Sequence, residues 1–209
     1  MTAPRLAYWL SLASPWTWLG SARLIALVQR CAVPVDVRPV DLSAVFLATG
    51  GVPFPQRPPA RQSYRQLELA RWKARLALPL TLEPRFYPVD REPASRLLIA
   101  AAQAGHDGLA LSHALLRAIW VEDRDIAQAA TLIAVADALG LDGGALWAAA
   151  QAPAVGRQYL DNTRQAVEAQ VFGSPTFVWQ GERFWGQDRL DFLEERLSGR
   201  VPAPVVPQR

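Results

Sequence analysis

The sequence contains a single cysteine, Cys31, and this scarcity excludes a large class of chemistry. One thiol can form neither an internal disulfide nor the Cys-x-x-Cys pair of a dithiol oxidoreductase. Cys31 falls near the end of a predicted helix, two residues before Val33, so we interpret it as a partly buried structural residue. A chain without an internal disulfide suits a reducing compartment, which predicts a cytoplasmic protein.

Other signals of common function classes are also missing. No apolar run approaches the roughly 20 residues that a membrane-spanning helix requires, so no membrane contact is predicted. The net charge is +3, but the arginines are scattered and form no cluster that would indicate nucleic-acid binding. No residues show the spacing of metal ligands or of a phosphate loop. His106 is predicted to be exposed and His113 to lack an obvious partner, so neither indicates catalysis.

The first forty residues instead predict a βαβ unit. Residues 6–12 are apolar and rich in aromatics, as in a buried strand. Ser14-Pro15 is typical of a helix start, and helical spacing of apolar residues continues to Arg30. Residues 35–40 alternate as a second strand does. A strand, a helix and a strand in this order make one βαβ unit.

The rest of the chain changes character twice. Residues 41–59 are rich in glycine and proline and predict a long loop, a kind of segment that is often functional. A hairpin with strands over 174–179 and 183–185 and a helix over 189–197 come near the C-terminus. Between the loop and the hairpin, helical patterns cover residues 60–77, 93–104, 109–120, 126–139, 144–150 and 153–170.

This order predicts an α/β protein with a thioredoxin-like fold and an inserted all-helical domain. Its sheet is expected to contain two parallel strands and an antiparallel hairpin. The predicted organisation assigns residues 1–45 and 171–198 to the thioredoxin-like domain, 46–59 to a connecting loop, 60–170 to the helical insertion and 199–209 to a disordered tail.

Ser14 is the first candidate for chemistry. The N-terminus of a helix carries unsatisfied N–H groups and about half a positive charge, so it can hold an anion. Disulfide oxidoreductases place Cys-x-x-Cys at this point of a thioredoxin-like fold, whereas this chain has Ser14-Pro15-Trp16-Thr17. The alternative is that Ser14 serves only as an N-cap.

Two further turns belong to the same predicted edge of the fold. Pro175 opens a strand, which fits either a cis peptide bond or an ordinary edge-strand proline. In thioredoxin-like proteins a cis-proline faces the helix N-terminus, and the residue before it pairs its backbone with an extended peptide. In the segment 185–189, Asp188 fits either an N-cap of the last helix or a contact to a small zwitterion.

Four motifs together resemble the 2-hydroxychromene-2-carboxylate isomerase family, which is similar to kappa-class glutathione transferases and to the DsbA group. They are Ser-Pro-Trp at 14–16, Arg71-Trp72, Val-Phe-Gly-Ser-Pro-Thr-Phe at 171–177 and Phe-Trp-Gly-Gln-Asp-Arg at 184–189. The resemblance runs from about residue 6 to residue 197. It implies glutathione as cofactor, a small aromatic acid as substrate and a homodimer.

The resemblance also implies roles for individual residues. Ser14 matches the catalytic serine, whose hydroxyl hydrogen-bonds the sulfur of glutathione. The implied glutathione-binding residues are Trp16, Arg61, Ser174, Pro175, Gln187 and Asp188. Phe54, Trp72 and Trp185 are expected to line the substrate pocket, although burial in the core is the alternative for each aromatic. The chain departs from the family pattern at Ser11, Phe46 and Gly51, where an aspartate, a basic residue and an asparagine are usual.

The leading functional hypothesis is therefore a glutathione-dependent cis–trans isomerase of an aromatic pyruvate-type acid. A kappa-like glutathione transferase would use the same first site with a different second pocket. A thioredoxin-like binding protein without turnover is the alternative from another class.

Overall fold

The structure, a computed structural model, describes residues 3–204. Its N-terminal part is the predicted βαβ unit, formed by β1 (Leu6–Leu10), α1 (Pro15–Arg30) and β2 (Val35–Pro39). The two strands run parallel, with Leu6 opposite Val35 and Leu10 opposite Pro39. The prediction of a strand, a helix and a strand is confirmed.

The C-terminal part adds the predicted hairpin and helix, which are β3 (Thr176–Trp179), β4 (Glu182–Trp185) and α9 (Leu190–Leu197). The sheet order is β2-β1-β3-β4, and β3 is antiparallel to both of its neighbours. The α/β class and the mixed sheet are therefore as predicted. Strand β3 begins two residues later than expected, after Pro175, which has no N–H group to contribute to a strand ladder.

The helical region contains all six predicted helices. Their bounds differ from the predicted ones by one or two residues, except that α6 starts three residues late, where Asp125 accepts hydrogen bonds from the Ala127 N–H and the Gln128 side chain in a turn. The helices are α3 (Pro59–Leu76), α4 (Glu92–Gln103), α5 (Gly108–Trp120), α6 (Ala129–Asp137), α7 (Gly143–Ala150) and α8 (Pro153–Glu168).

The predicted loop over 41–59 is wrong in its first half, which forms helix α2 (Leu42–Thr49). Asp41 caps this helix by accepting a hydrogen bond from the Ser43 N–H at 2.9 Å, and Gly50 ends it with a left-handed φ of 77°. The prolines that suggested a loop begin only at Pro53, after the helix. A single 3₁₀ turn, Phe54–Gln56, interrupts the remaining loop.

Hydrophobic packing covers both faces of the sheet. Successive residues of a strand point to opposite faces, and Tyr8 and Trp9 of β1 accordingly belong to different clusters. The large cluster includes Tyr8 stacked on Phe177 of β3 at 5.2 Å between ring centroids. The small cluster contains Trp9 with Val45 of α2 and Ala166 of α8. Helix α2 is thus part of the folded layer that supports the sheet.

The remaining predictions for single residues have mixed outcomes. Cys31 is half-buried and free, as expected, and lies at the opposite end of α1 from Ser14, about 25 Å away along the helix. His106 is exposed, as expected. The prediction for His113 is wrong, because its Nδ1 lies 2.8 Å from the Ser21 hydroxyl and its ring stacks on Trp18.

The predicted disordered tail falls partly outside the described residues, since 205–209 are not among them. Residues 201–204 are exposed and lie outside helix and strand. Among residues 3–204, no helix combines the length and apolarity needed to cross a bilayer. Within the same range, acidic, histidine and cysteine side chains form no group that could hold a metal ion.

Candidate active site

Ser14 lies where β1 leads into α1 and is the N-cap residue of that helix. Its hydroxyl oxygen accepts a hydrogen bond from the Thr17 N–H at 3.3 Å and donates to the Ser174 carbonyl at 3.3 Å. Both bonds are long for hydrogen bonds that involve a hydroxyl oxygen. The hydroxyl therefore lies at the positive end of a helix. Its two hydrogen bonds are long, so a ligand atom that is a stronger acceptor can replace them.

Ser174 ties the loop before β3 to the start of α1. Its hydroxyl oxygen accepts from the Ser11 N–H at 2.8 Å and lies 2.9 Å from the Thr17 hydroxyl. All four side chains, Ser11, Ser14, Thr17 and Ser174, are buried. Because the Ser174 hydroxyl contacts both the Ser11 N–H and the Thr17 hydroxyl, the position of the Ser174 carbonyl relative to Ser14 is fixed.

The peptide bond between Ser174 and Pro175 is cis. The Pro175 carbonyl accepts a hydrogen bond from the Gly186 N–H at 2.9 Å, which brings the end of β4 against the same turn. Gly186 has a left-handed φ of 104°, and a Cβ on it would collide with the Asp188 carboxylate. Only glycine suits this position, so the turn that carries residues 187 and 188 is fixed as well.

Asp188 is not an N-cap of the last helix. The N-cap position of α9 is Arg189, which has no side-chain capping bond. The Asp188 carboxylate instead pairs with Arg189 at 2.7 Å, and Asp188 lines a cavity at this edge of the fold. Of the two interpretations of Asp188, the capping one is therefore wrong.

Gln187 is almost completely buried, with 1% of its surface exposed. Its Oε1 accepts a hydrogen bond from Arg23 Nη1 of α1 at 3.0 Å. Since a guanidinium only donates, this contact fixes the orientation of the amide and leaves Nε2 as the free donor. Nε2 is buried and has no hydrogen-bond partner among the described residues. A buried donor without a partner is costly, which suits a ligand that supplies an acceptor.

A cavity of about 620 Å³ opens over this edge of the fold. Trp185 rests on Gly173 at its rim, where a side chain larger than hydrogen would collide with the indole ring. The opposite wall, called the helical wall, is formed by α2, the 3₁₀ turn, α3 and the loop before α4. The predicted site residues that line the cavity are Ser14, Trp16, Phe54, Trp72, Ser174, Trp185, Gln187 and Asp188.

Two predicted site residues do not line the cavity. Pro175 is buried and outside the cavity wall, although its carbonyl accepts a hydrogen bond from the Gly186 N–H. Arg61 is exposed on α3 and lies outside the cavity wall, so the geometry does not bring it together with the others. Arginines that the sequence did not single out, Arg57 and Arg65, line the cavity instead. A guanidinium at each of these positions makes the helical wall basic.

The departures at Phe46 and Gly51 are structurally one feature. Phe46 of α2 lines the cavity, and a Cβ on Gly51 would collide with its ring. A larger residue at 51, such as asparagine, would therefore displace the phenyl ring. Phe46 and Gly51 together give this part of the wall an apolar surface.

The fold and the site define the class of protein. The chain belongs to the family of the DSBA-like thioredoxin domain, which matches residues 5–198. At the start of α1 the chain has Ser14-Pro15-Trp16-Thr17, so this segment contains no cysteine pair.

Individual proteins that are similar to this chain indicate a narrower group than the family model does. A 2-hydroxychromene-2-carboxylate isomerase of Sphingobium xenophagum is 29% identical over 191 residues, which cover 91% of this chain and 96% of that protein. A solved structure of such an isomerase matches with a TM-score of 0.77 at 27% identity and covers 93% and 94% of the two chains. Glutathione S-transferase kappa 1 of Rattus norvegicus is 25% identical over 224 residues, with coverages of 98% and 96%. The resemblance stated from the motifs is confirmed.

Proposed function

We propose that this protein is a glutathione-dependent isomerase that interconverts 2-hydroxychromene-2-carboxylate, or a closely related aromatic acid, with its open-chain trans isomer. Its curated relatives are isomerases and a glutathione transferase, which supports an enzyme over a binding protein without turnover. The observation that carries the proposal is the Ser14 hydroxyl, placed at a helix N-terminus 3.3 Å from the Ser174 carbonyl on the wall of the cavity.

Bound glutathione supplies a thiolate that adds reversibly to the conjugated double bond of the acid, so that the bond can rotate before the thiolate leaves. The protein's part is to keep that sulfur ionised and in place. The Ser14 hydroxyl donates its hydrogen bond to the sulfur instead of to the Ser174 carbonyl. The Ser174 carbonyl then becomes available to an N–H group of the cysteinyl unit, as in the addition of a strand.

The free energies are sufficient without a histidine or a second thiol. A thiol with a pKa near 8.5 needs about 2 kcal/mol of differential stabilisation to ionise near pH 7. A hydrogen bond from a hydroxyl to a charged atom supplies about 1.5–3 kcal/mol, and a helix N-terminus adds about 0.3–1 kcal/mol. Ser14 and the first turn of α1 provide both.

The side of the cavity formed by Ser14, Ser174, Gln187 and Asp188, the thioredoxin-like wall, also offers groups for the γ-glutamyl end of glutathione. The unpartnered Nε2 of Gln187 can donate to a carboxylate, and the Asp188 carboxylate can accept from an ammonium group. Arg23 keeps the Gln187 amide in the orientation that this role needs. The residues present therefore fit glutathione as the cofactor.

A kappa-like transferase is the second candidate, and the match to the rat kappa enzyme supports it. Both activities need the same bound thiolate, and they differ in whether glutathione is consumed. The apolar surface of Phe46 on the cavity wall suits an aromatic ring in either case.

The test follows 2-hydroxychromene-2-carboxylate by its ultraviolet spectrum while free thiol is titrated in the same reaction. The isomerase proposal predicts approach to equilibrium with the open-chain trans acid, a requirement for catalytic glutathione and a constant thiol concentration. A chlorodinitrobenzene reaction run in parallel measures conjugation. Stoichiometric loss of thiol with the acid, or equal rates with and without glutathione, would reject the isomerase.

A further inference from the structure

The cavity wall opposite Ser14 contains a buried cation that pairs with no anion in the described part of the chain. Arg65 of α3 is 7% exposed and forms part of the wall. Its Nη2 is buried without a hydrogen-bond partner, and no ion pair or hydrogen bond joins this side chain to residues 3–204. A buried charge without a partner is expensive, so proteins seldom keep one unless a ligand uses it.

Two aromatic rings hold the Arg65 guanidinium in place. Its central carbon lies 4.2 Å from the centroid of Phe54 and 5.4 Å from that of Tyr87. Tyr87 in turn packs on the fully buried Trp120 at 5.2 Å between centroids. Contacts between a cation and aromatic faces offset part of the cost of burial, but they supply no hydrogen-bond acceptor for the N–H groups.

The other charged groups of the wall have their own partners. Arg91 pairs with Asp41, and Arg189 pairs with Asp188. The carboxylate of Glu68, one turn after Arg65 on α3, pairs with Arg71. Arg57 is half-buried and donates to the Val52 carbonyl at 2.8 Å. Among the described residues that line the cavity, Arg65 is therefore the buried charge that a ligand can neutralise.

The position of Arg65 separates it from the groups that suit glutathione. Residues 65, 68 and 72 follow the spacing of one helix face, and all three line the cavity. This face belongs to the helical wall, whereas Ser14, Ser174 and Gln187 belong to the thioredoxin-like wall. A guanidinium there is placed for the second substrate and against an apolar surface that suits an aromatic ring.

We propose that Arg65 receives the carboxylate of the second substrate, so that this arginine selects aromatic acids over uncharged electrophiles. The inference rests on the proposed function, in which a thiolate held at Ser14 attacks a substrate bound in the same cavity. A guanidinium and a carboxylate match each other as a bidentate pair, and the pair is strong where water is excluded. Burial lowers the pKa of the Arg65 guanidinium, which nonetheless stays protonated at neutral pH.

The test compares two electrophiles that differ only in the carboxylate. Trans-benzylidenepyruvate is the acid, and benzylideneacetone is its uncharged counterpart. Neither has the phenol that closes the ring of 2-hydroxychromene-2-carboxylate, so with excess glutathione the loss of the enone absorbance measures the addition step alone. Arg65→Gln is expected to raise KM for the acid roughly 10- to 100-fold and to leave the rate with the ketone and the Kd of glutathione within about twofold. Arg65→Lys is expected to recover part of the affinity for the acid.

Lys73→Gln is the matched control, because it removes one exposed positive charge from the same helix. It is expected to behave as the wild type with both electrophiles. The ketone reaction and a thermal melt show whether Arg65→Gln folds. Equal loss of activity with acid and ketone, or a weaker affinity for glutathione with an unchanged KM for the acid, would overturn the proposal.

Direct binding separates this inference from the proposed function. Quenching of tryptophan fluorescence by the acid is measured for the wild type and Arg65→Gln, with and without glutathione. Binding that weakens in the variant supports the carboxylate role even if no turnover is found. Equal binding by both proteins, or no binding by the wild type, rejects it.

Discussion

The two walls of the cavity differ in whether their buried polar groups have hydrogen-bond partners. On the thioredoxin-like wall, serine and threonine hydroxyls from α1 and the loop before β3 satisfy one another, and Gly186 fixes the next turn. On the helical wall, Arg65 is buried between aromatic rings and has no acceptor among residues 3–204. The first wall is preorganised by backbone geometry, and the second contains a charge for which we propose a ligand as the partner.

From this difference we expect the two walls to bind different ligands. A preorganised wall with few free groups suits one invariant ligand, which we propose is glutathione. A wall of aromatic rings and cations suits a variable second substrate. Changes on the thioredoxin-like wall should therefore affect every reaction, and changes on the helical wall should affect only some substrates.

The largest effect is expected for Ser14→Ala. Loss of a hydrogen bond to the charged sulfur should lower kcat/KM about 10- to 100-fold, for the acid and for an uncharged electrophile alike. Steady-state kinetics with both substrates at saturating glutathione measures it. The control is Thr17→Ser, which keeps a hydroxyl on the residue whose N–H contacts Ser14 and should retain most of the activity. A loss confined to the acid would contradict the division between the walls.

The next effect is expected for Arg23→Met, which leaves the Gln187 amide without its orienting donor. The Kd of glutathione should rise about 5- to 10-fold, because one hydrogen bond to the carboxylate is lost in part of the molecules. Calorimetry measures the affinity. Arg30→Met is matched to it, since Arg30 pairs with Glu194 from the far end of the same helix. If both variants bind glutathione equally well, Arg23 does not act through Gln187.

A smaller effect is expected for Gly51→Ala on the helical wall. The added Cβ would collide with Phe46, so the ring must move and reshape the apolar surface. KM for the acid should change about threefold while the Kd of glutathione stays the same. Gly144→Ala on α7, where a Cβ meets only an ordinary contact, is the control. A changed Kd of glutathione with an unchanged KM for the acid would contradict this assignment of Gly51 to the helical wall.

The smallest effect is expected for Asp41→Asn, which concerns stability. Burial raises the pKa of Asp41, but the hydrogen bond and charge of Arg91 and the N–H groups of Ser43 and Ala44 outweigh it, so the pKa is lowered. The ion pair and the cap therefore stabilise α2 at pH values above the ordinary aspartate pKa, and this contribution disappears as pH falls through the lowered pKa.

The variant should lose about 1 kcal/mol of unfolding free energy at pH 7, discounted for partial exposure. Chemical denaturation at pH 7 and pH 3 measures the difference, which should shrink at the lower pH. A loss of equal size at both pH values would show that the charge of Asp41 does not stabilise α2.

The sequence predicted the thioredoxin-like wall better than the helical wall, for a physical reason. Ser14 and Pro175 stand in local patterns, an N-cap before a proline and a proline opening a strand, that can be recognised within a few residues. Arg65 carries no such pattern, because its burial depends on Phe54 and Tyr87, which lie 11 and 22 residues away. Contacts of that kind arise only when the chain has folded.

Helix α2 and Arg23 were missed for related reasons. The glycines and prolines from Gly50 onward predict a loop, whereas the eight residues before them form an apolar helix. Asp41 caps the start of this helix and pairs with Arg91, which is 50 residues away in the sequence. The contact of Arg23 with Gln187 joins residues 164 positions apart. A spacing rule along one helix cannot reveal such a pair.

The central claim is that a serine hydroxyl and the N-terminus of α1 hold the sulfur of glutathione as an anion. Its most direct test is the ultraviolet titration of the thiolate of enzyme-bound glutathione, compared between the wild type and Ser14→Ala. The account predicts a thiol pKa about one to two units below that of free glutathione in the wild type and a return toward the free value in the variant. The same thiol pKa in both proteins would contradict it.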